Sequence, residues 1–450
     1  MTARSLAAIL VSALFAAAGC ASAGGLSKAD QTHRRGPAHV EIAGDAVSGY
    51  SLLVNGSPYA LRGAGVGQPS EARFAALVEA GGNTVRTWST KDAETVLALA
   101  EKYDVMVALG VDFGQELHGF NYDDPAAVAA QFDAVKKQID KYKDHPNLLM
   151  WIVGNELNLL YGEFGVVLVN PKVYAALNDV AAYIHEVDPH HPMSTAFAGY
   201  LSEHVAHAMP FVPDLDILAI QLYGDLVKLK EFIAADPSDL PIMLTEYGPL
   251  GHWEMPQTEW GREIEEPSAV KAAGMAERIQ NSIIDDTSGR NIGNFAFLWG
   301  HKQERTSTWY SLFTKEGYAD ARVDELTKFW TGAYPDNRAP LTKSIMIDGK
   351  RPIDNIYLKA GALYTAEIDV SDPEGESLTT EWALRREVGT RSSGGEYEAS
   401  PDLVALDIVS QDVSSLTFRA PDEAGEYRLF ATTSDPQDKV GTANAPIFVK

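Results

Sequence analysis

Between residues 39 and 336 short apolar runs alternate with segments of helical period, and this alternation constrains the fold more than any other feature of the chain. The runs are YALRGAGVG, NTVRTW, VMVALGVDF, LLMWIVGNE, HPMSTAFAG, LDILAIQLYG, PIMLTEYG and NFAFLWGH. Between them lie SEARFAALVEAG, with Phe74, Leu77 and Val78 at helical spacing, then DAETVLALAEKY, AAVAAQFDAVKKQIDKY and VYAALNDVAAYIHEV. Short, continuous apolar runs of this kind read as strands buried on both faces. Eight strands, mostly separated by helices, over about 300 residues fit a (β/α)8 barrel spanning residues 39–336. An open doubly wound sheet competes with this reading. It calls for a glycine-rich phosphate fingerprint after the first strand, and GAGVGQPSE at 63–71 lacks the GxGxxG register.

Near PDNRAP, at 335–340, the pattern changes. From there to Lys450 the chain consists of short alternating segments and turn residues: YTAEIDV, DPEG, LTTEWAL, SLTFRAP, EYRLFATT. Residues 337–450 therefore read as a β-sandwich, and the pattern resembles the immunoglobulin-like and polycystic-kidney-type modules attached to exported enzymes. Its acids Asp369, Asp372 and Glu374 read as turn formers rather than calcium ligands. No metal or cofactor is expected elsewhere. The eleven His show no HExxH or comparable spacing, and HEVDPHHP reads as a helix end stopped by prolines.

The formal net charge of −25 argues against nucleic acid and anionic membrane surfaces as partners, since both select basic patches. At the N-terminus Arg4 precedes LAAILVSALFAAAG, the pattern of an export signal over residues 1–19. Cys20 follows it and is the only Cys, which excludes an internal disulfide. FAAAGC resembles a bacterial lipobox, with Ala17 where that motif prefers Leu. The resemblance implies a lipid anchor at Cys20, a tether over residues 20–38 and a periplasmic or outer-membrane location. Cleavage after the small-residue run Ala21-Ser22-Ala23, giving a secreted or soluble periplasmic protein, is the competing reading. A monomer is the default expectation.

In a barrel of this kind the C-terminal ends of the strands face the active site. The second strand ends near Arg86, the fourth on Asn155 and Glu156, the sixth near Tyr223, the seventh on Glu246 and the eighth near Trp299. Trp88 lies just past the second. A buried carboxylate without a partner is costly, so where a strand as apolar as LLMWIV ends on Glu156, that residue either sits at an exposed mouth where it does chemistry or is neutralised by a structural partner. Two carboxylates at one barrel mouth suit glycoside hydrolysis, one as proton donor and the other as nucleophile or water activator.

The chain resembles clan A of the glycoside hydrolases, above all the barrel domain of family 2. HPNLLMWIVGNE matches that family's "HPS-V-MW-LGNE", NTVRTW matches "N-IRT", and a glutamate closes the seventh strand in PIMLTEYG. The resemblance implies that Glu156 is the general acid/base and Glu246 the nucleophile, kept ionised by Arg86 and Tyr223. It also implies that Asn155 binds the sugar 2-hydroxyl, that Trp299 faces the sugar ring, and that anomeric configuration is retained. The chain departs from family 2 in having its sandwich after the barrel and no jelly roll before it.

The loop HWEMPQTEWGREIEEP after the seventh strand carries Trp253 and Trp260, and HKQERTSTWY after the eighth carries Trp309 and Tyr310. Indole faces stack on pyranose rings, so these loops favour an oligo- or polysaccharide, with Trp253 as a binding residue. NTVRTW, VGNELN and LTEYG also resemble fungal β-1,3-glucanosyltransferases, and the two-domain plan resembles bacterial endo-β-1,3-glucanases. The expected function is a retaining enzyme of a β-linked glycan, with β-1,3-glucan first. A transglycosylase and a catalytically inactive glycan-binding lipoprotein are the alternatives.

Overall fold

The computed structural model describes residues 36–163, 165–391 and 395–450; the export signal, Cys20 and most of the tether lie outside these residues. Eight parallel strands close into a barrel: β1 (Gly63–Gly65), β2 (Thr84–Arg86), β3 (Met106–Val111), β4 (Leu148–Asn155), β5 (Met193–Ala198), β6 (Ile217–Gln221), β7 (Ile242–Tyr247) and β8 (Asn291–Ala296). Each pairs with its chain neighbours, and β8 pairs with β1 to complete the ring.

A helix follows every strand: α1 (Glu71–Glu79), α2 (Ala93–Tyr103), α3 (Pro125–Tyr142), α4 (Lys172–Val187), α5 (Ser202–Ala208), α6 (Leu229–Ala235), α7 (Ser268–Ile279) and α8 (Ala321–Thr331). Local sequence starts and orients them. Asp124 caps α3 by accepting from the amides of Ala126 and Ala127, and Pro125 occupies the first turn, where no amide hydrogen is needed. Val135, Ile139 and Tyr142 then bury one face at helical spacing. Residues alternate along the strands, so that Met106, Met150, Ile152, Ile217, Met243 and Phe295 fill the barrel interior.

The segment before β1 folds into something the sequence reading did not separate from the barrel. Val40–Asp45, Gly49–Val54 and Ser57–Pro58 form a three-stranded antiparallel sheet. It bonds to chain just ahead of three barrel strands: the Val40 amide to His190 O, the Tyr50 amide to Gly289 O, and the Tyr59 hydroxyl to Asn83 O. Leu52 and Leu61 join the interior core from this side. The sheet therefore plugs the N-terminal end of the barrel and leaves the C-terminal end open.

The C-terminal region is a sandwich of two sheets. One contains Leu341–Ile347, Leu363–Ser371, Ser415–Arg419 and Asp407–Gln411. The other contains Thr379–Arg386, Gly425–Ser434 and Lys439–Val449, and it accepts Ala319–Asp320 of the barrel as an added parallel strand. Ile345, Ile368, Trp382, Leu416, Phe418, Leu429 and Ile447 fill the space between them. Asp372 accepts from the amides of Glu374 and Glu376 at 2.9 and 2.8 Å, the bonding of a turn former. Among the described residues no helix is long and apolar enough to cross a membrane.

Candidate active site

The last residues of β2, β4, β6 and β7 converge at the open end. Glu246, the fifth residue of β7, is 6% exposed and sits inside a fan of donors. Its Oε1 accepts from Arg86 Nη1 at 2.8 Å, Trp88 Nε1 at 2.7 Å and Gln221 Nε2 at 2.8 Å. Its Oε2 accepts from the Tyr223 hydroxyl at 2.8 Å. Charge-assisted bonds of this kind stabilise the ionised form. Burial and the Glu246 charge hold the Tyr223 phenol well above its ordinary range, so it remains a donor.

Arg86, fully buried, also orders the neighbouring amide. Its Nη2 donates to Asn155 Oδ1 at 2.7 Å, and Gln221 Nε2 donates to the same oxygen at 2.7 Å. With its oxygen occupied twice, Asn155 has its Nδ2 hydrogens left for a ligand.

Glu156 lives in the opposite environment. The chain leaves β4 through Gly154 at φ 75° and places Glu156 itself at φ 53°, a left-handed conformation that costs a non-glycine residue energy. Its amide is pinned to Ala196 O at 2.7 Å. Its carboxyl has no hydrogen-bond partner among the described residues. Burial first, and then the Glu246 charge, push its pKa up to about 8 against the pull of Arg86. It is therefore protonated at neutral pH. Two carboxyls share one mouth, one met by four donors and one met by none and pushed up by burial.

All of these groups except Arg86, which is fully buried and reaches the site through Glu246 and Asn155, line a cavity of about 790 Å³. Asn155, Glu156, Gln221, Tyr223, Glu246 and Trp88 all contribute to its wall, so the structure brings together six of the residues at the strand ends. Trp253, 59% exposed, stands at the rim with its ring edge-on to Tyr223 at 5.4 Å between centroids.

Trp299 is different and corrects the sequence expectation. It is fully buried, outside the cavity wall, packed on Phe313 and Trp330, with Nε1 donating to Arg73 O at 2.9 Å. Phe297 and Leu298 face the cavity in its place. Two of the loop aromatics are structural as well. Trp309 is buried and donates to Leu250 O, and Trp260 packs on Tyr357 and Phe448 of the sandwich.

Sequence reasoning missed Gln221, Lys302, Glu304 and Arg305, all of which line the cavity, and the sandwich residue Gly395 beside them. Gln221 carried a usable signal, since it lies two residues before Tyr223 and so on the same strand face. Lys302, Glu304 and Arg305 sit on an irregular loop and gave none. Burial and nearby cations hold the His252 imidazole down at about 3, so it lines the cavity as a neutral ring. Among the described residues one acidic group has ligand-like spacing, Asp372, Glu376 and Asp435 within 4.8 Å. It lies on the sandwich and none of the three lines the cavity.

Residues 59–257, covering β1 to β7, match the family described as glycosyl hydrolases family 2, TIM barrel domain. The matched segment is thus similar to the barrel domain of that family, over somewhat less than half of the chain. Solved structures of similar fold include a calcium-binding mutant of Bacteroides uniformis β-glucuronidase 2, at 15% identity and a TM-score of 0.50 over 91% of this chain and 48% of that one. They also include the β-glucuronidases of Faecalibacterium prausnitzii, at 16% identity, TM-score 0.50, over 66% and 52% of the two chains, and of Bifidobacterium dentium, at 17%, 0.50, over 66% and 50%. The chain thus spans about half the length of these proteins. The comparisons support the family 2 barrel and not the likeness to β-1,3-glucan enzymes.

Proposed function

We propose that the protein is a retaining β-glycosidase of a β-linked oligo- or polysaccharide, with Glu246 as nucleophile and Glu156 as general acid/base. The observation that carries this reading is the opposite surroundings of two carboxyls in one cavity: Glu246 accepts from four donors, while Glu156 has no partner among the described residues and is pushed up by burial. Oε1 of Glu246 already accepts three bonds, so Oε2, which accepts one, attacks the anomeric carbon. Glu156 gives its proton to the departing glycosidic oxygen as that bond breaks. The resulting glycosyl ester removes the Glu246 charge, one of the causes of the raised Glu156 pKa, while Arg86 stays. Glu156 then ionises more readily and takes a proton from the incoming water, whose oxygen displaces Glu246. Asn155 Nδ2 donates to the sugar 2-hydroxyl, and Trp253 offers its face to a second sugar at the rim.

The β-1,3-glucan reading carries over as the first polymer to assay, with aryl β-glycosides beside it. Transfer to a sugar hydroxyl in place of water is the second reading, and the length of the products separates the two. Export as a monomer, with a lipid on Cys20, belongs to the same proposal; radiolabelled palmitate taken up by wild type and not by Cys20→Ser would support the anchor.

The test is direct. Glu246→Ala is expected to lose about four orders of magnitude in kcat and Glu156→Ala about two to four. Azide should restore turnover to Glu156→Ala with a β-glycosyl azide as product. A fluorinated slow substrate should label Glu246, read by peptide mass. Silence on every glycan and glycoside, with no label on Glu246, overturns the reading.

A further inference from the structure

We infer that the cavity admits sugars without a carboxylate and turns away uronic acids, with the Lys302–Glu304 pair as its specificity-determining contact. The inference rests on the glycosidase reading of the same cavity. Five carboxyl groups line the wall, Glu156, Asp225, Glu246, Glu254 and Glu304, against two cationic side chains, Lys302 and Arg305. Even with Glu156 protonated, acids outnumber cations. Burial holds the two histidines of the wall, His252 and His301, below their ordinary pKa, so neither adds a charge at neutral pH.

Each cation near the wall is already matched. Arg86 faces Glu246 at 2.8 Å. Lys302 faces Glu304 at 2.6 Å. Arg305 is held by Glu398 of the sandwich at 3.0 Å and by Glu263 at 3.6 Å. A uronate brings a carboxylate into a closed space and needs a cation or a fork of donors to meet it. Here it meets acids, and like charges at close range cost several kcal/mol.

The Lys302–Glu304 pair suits a different ligand group. Its two side chains are nearly buried, at 21% and 10% exposure, and both line the cavity. The Lys302 amide donates to Ser311 Oγ at 2.8 Å, its ammonium lies 5.6 Å from the Phe297 ring, and Glu304 pairs with Thr306 through two backbone bonds. A fixed donor beside a fixed acceptor reads neighbouring hydroxyls, one as acceptor and one as donor. Arg305, anchored on Glu398, ties this loop to the sandwich, so the C-terminal region helps to shape the sugar site. The solved structures of similar fold named above are β-glucuronidases, and the inference separates this chain from them in substrate.

The experiment compares kcat/KM for aryl β-D-glucoside, galactoside, mannoside, xyloside and glucuronide on the wild-type chain. The best neutral glycoside should exceed the glucuronide by about a hundredfold or more. Glu304→Gln leaves Lys302 without its counter-charge, so it should shrink that ratio by about tenfold. Calorimetry with deoxynojirimycin and its uronic counterpart on the wild-type chain reads the same selectivity without turnover or a variant. Preferred binding of the neutral compound with no turnover anywhere would sink the glycosidase reading and keep the selectivity. Tighter binding or faster turnover of the uronic compound, or no discrimination, overturns the inference while leaving Glu156 and Glu246 to their own test.

Discussion

The open end of the barrel and its seam with the sandwich are both built of buried charge, and they use it in opposite ways. At the seam Glu265, 3% exposed, accepts from Lys271 Nζ at 2.6 Å, Thr306 Oγ1 at 2.5 Å, Thr308 Oγ1 at 2.8 Å and Asn444 Nδ2 of the sandwich at 2.6 Å. Burial pushes its pKa up, yet Lys271 and these bonds hold it below its ordinary value. Arg428 of the sandwich likewise meets Glu387, Asn444 Oδ1 and Glu263 O. At the mouth Glu156 is only partly buried on the cavity wall, has no partner among the described residues, and is still moved up by burial and the Glu246 charge. Depth alone does not decide whether a buried carboxyl is scaffold or chemistry. The supply of donors does.

The comparison is broken most sharply by removing one acid from each region. Glu246→Ala is expected to abolish turnover, by about four orders of magnitude; it also takes the carboxylate from buried Arg86, but at a smaller cost in melting temperature than at the seam, because Arg86 keeps Thr245 O and Asn155 Oδ1 as acceptors and water reaches the vacated space through the cavity. Glu265→Ala leaves the Lys271 ammonium buried and unpaired, and removing one partner of such a pair costs about 3–5 kcal/mol. Thermal melts and initial rates on both variants check the crossing. A Glu265→Ala protein as stable as wild type would mean that the seam relaxes to water and is no scaffold.

The difference between the two regions also explains what could be read from sequence. The eight apolar runs made the barrel legible, because a strand buried on both faces has to be apolar throughout. Glu156, Glu246, Arg86, Asn155 and Tyr223 were legible because a polar residue closing such a run is an anomaly. Period-2 spacing also pairs Arg86 with Trp88 and Gln221 with Tyr223, and all four bond Glu246 although β2 and β6 end at Arg86 and Gln221. The same rule misleads at Trp299. β8 ends at Ala296, Leu298 exchanges backbone bonds with Tyr310 and Leu312, and the alternation breaks before Trp299, whose indole turns under α8. The seam was illegible, since nothing local tells Glu265 that Asn444 will face it across 179 residues.

Two tryptophans sharpen the same contrast at a smaller scale. Trp88→Phe removes one donor from Glu246 and little packing volume, so it should lower kcat by roughly ten- to a hundredfold with a melt near wild type. Trp299→Ala empties a fully buried site and should cost about 3–5 kcal/mol of stability, with the residual folded enzyme keeping its KM. Calorimetric melts beside Michaelis curves check both. A KM defect in Trp299→Ala at full stability would return that indole to the sugar site.

The smallest expected effect is in pH. The folded-state pKa of Glu156 lies at about 8, above its ordinary 4.5. A group raised in this way supports the fold fully below the ordinary value, and its support is lost as pH rises through the folded one. Glu156→Gln cannot ionise, so its melting temperature should match wild type near pH 4 and exceed it by a few degrees above pH 8. On the proposed role of Glu156 the same ionisation removes the proton it donates, so the kcat/KM of wild type should fall as pH passes about 8. Glu265, held below its ordinary range, runs the other way: its stabilisation is present at neutral pH and fades only as acid protonates it. Melts of wild type, Glu156→Gln and Glu265→Gln across this range separate the two signs. Parallel curves for the two variants would mean that donors do not distinguish the mouth from the seam.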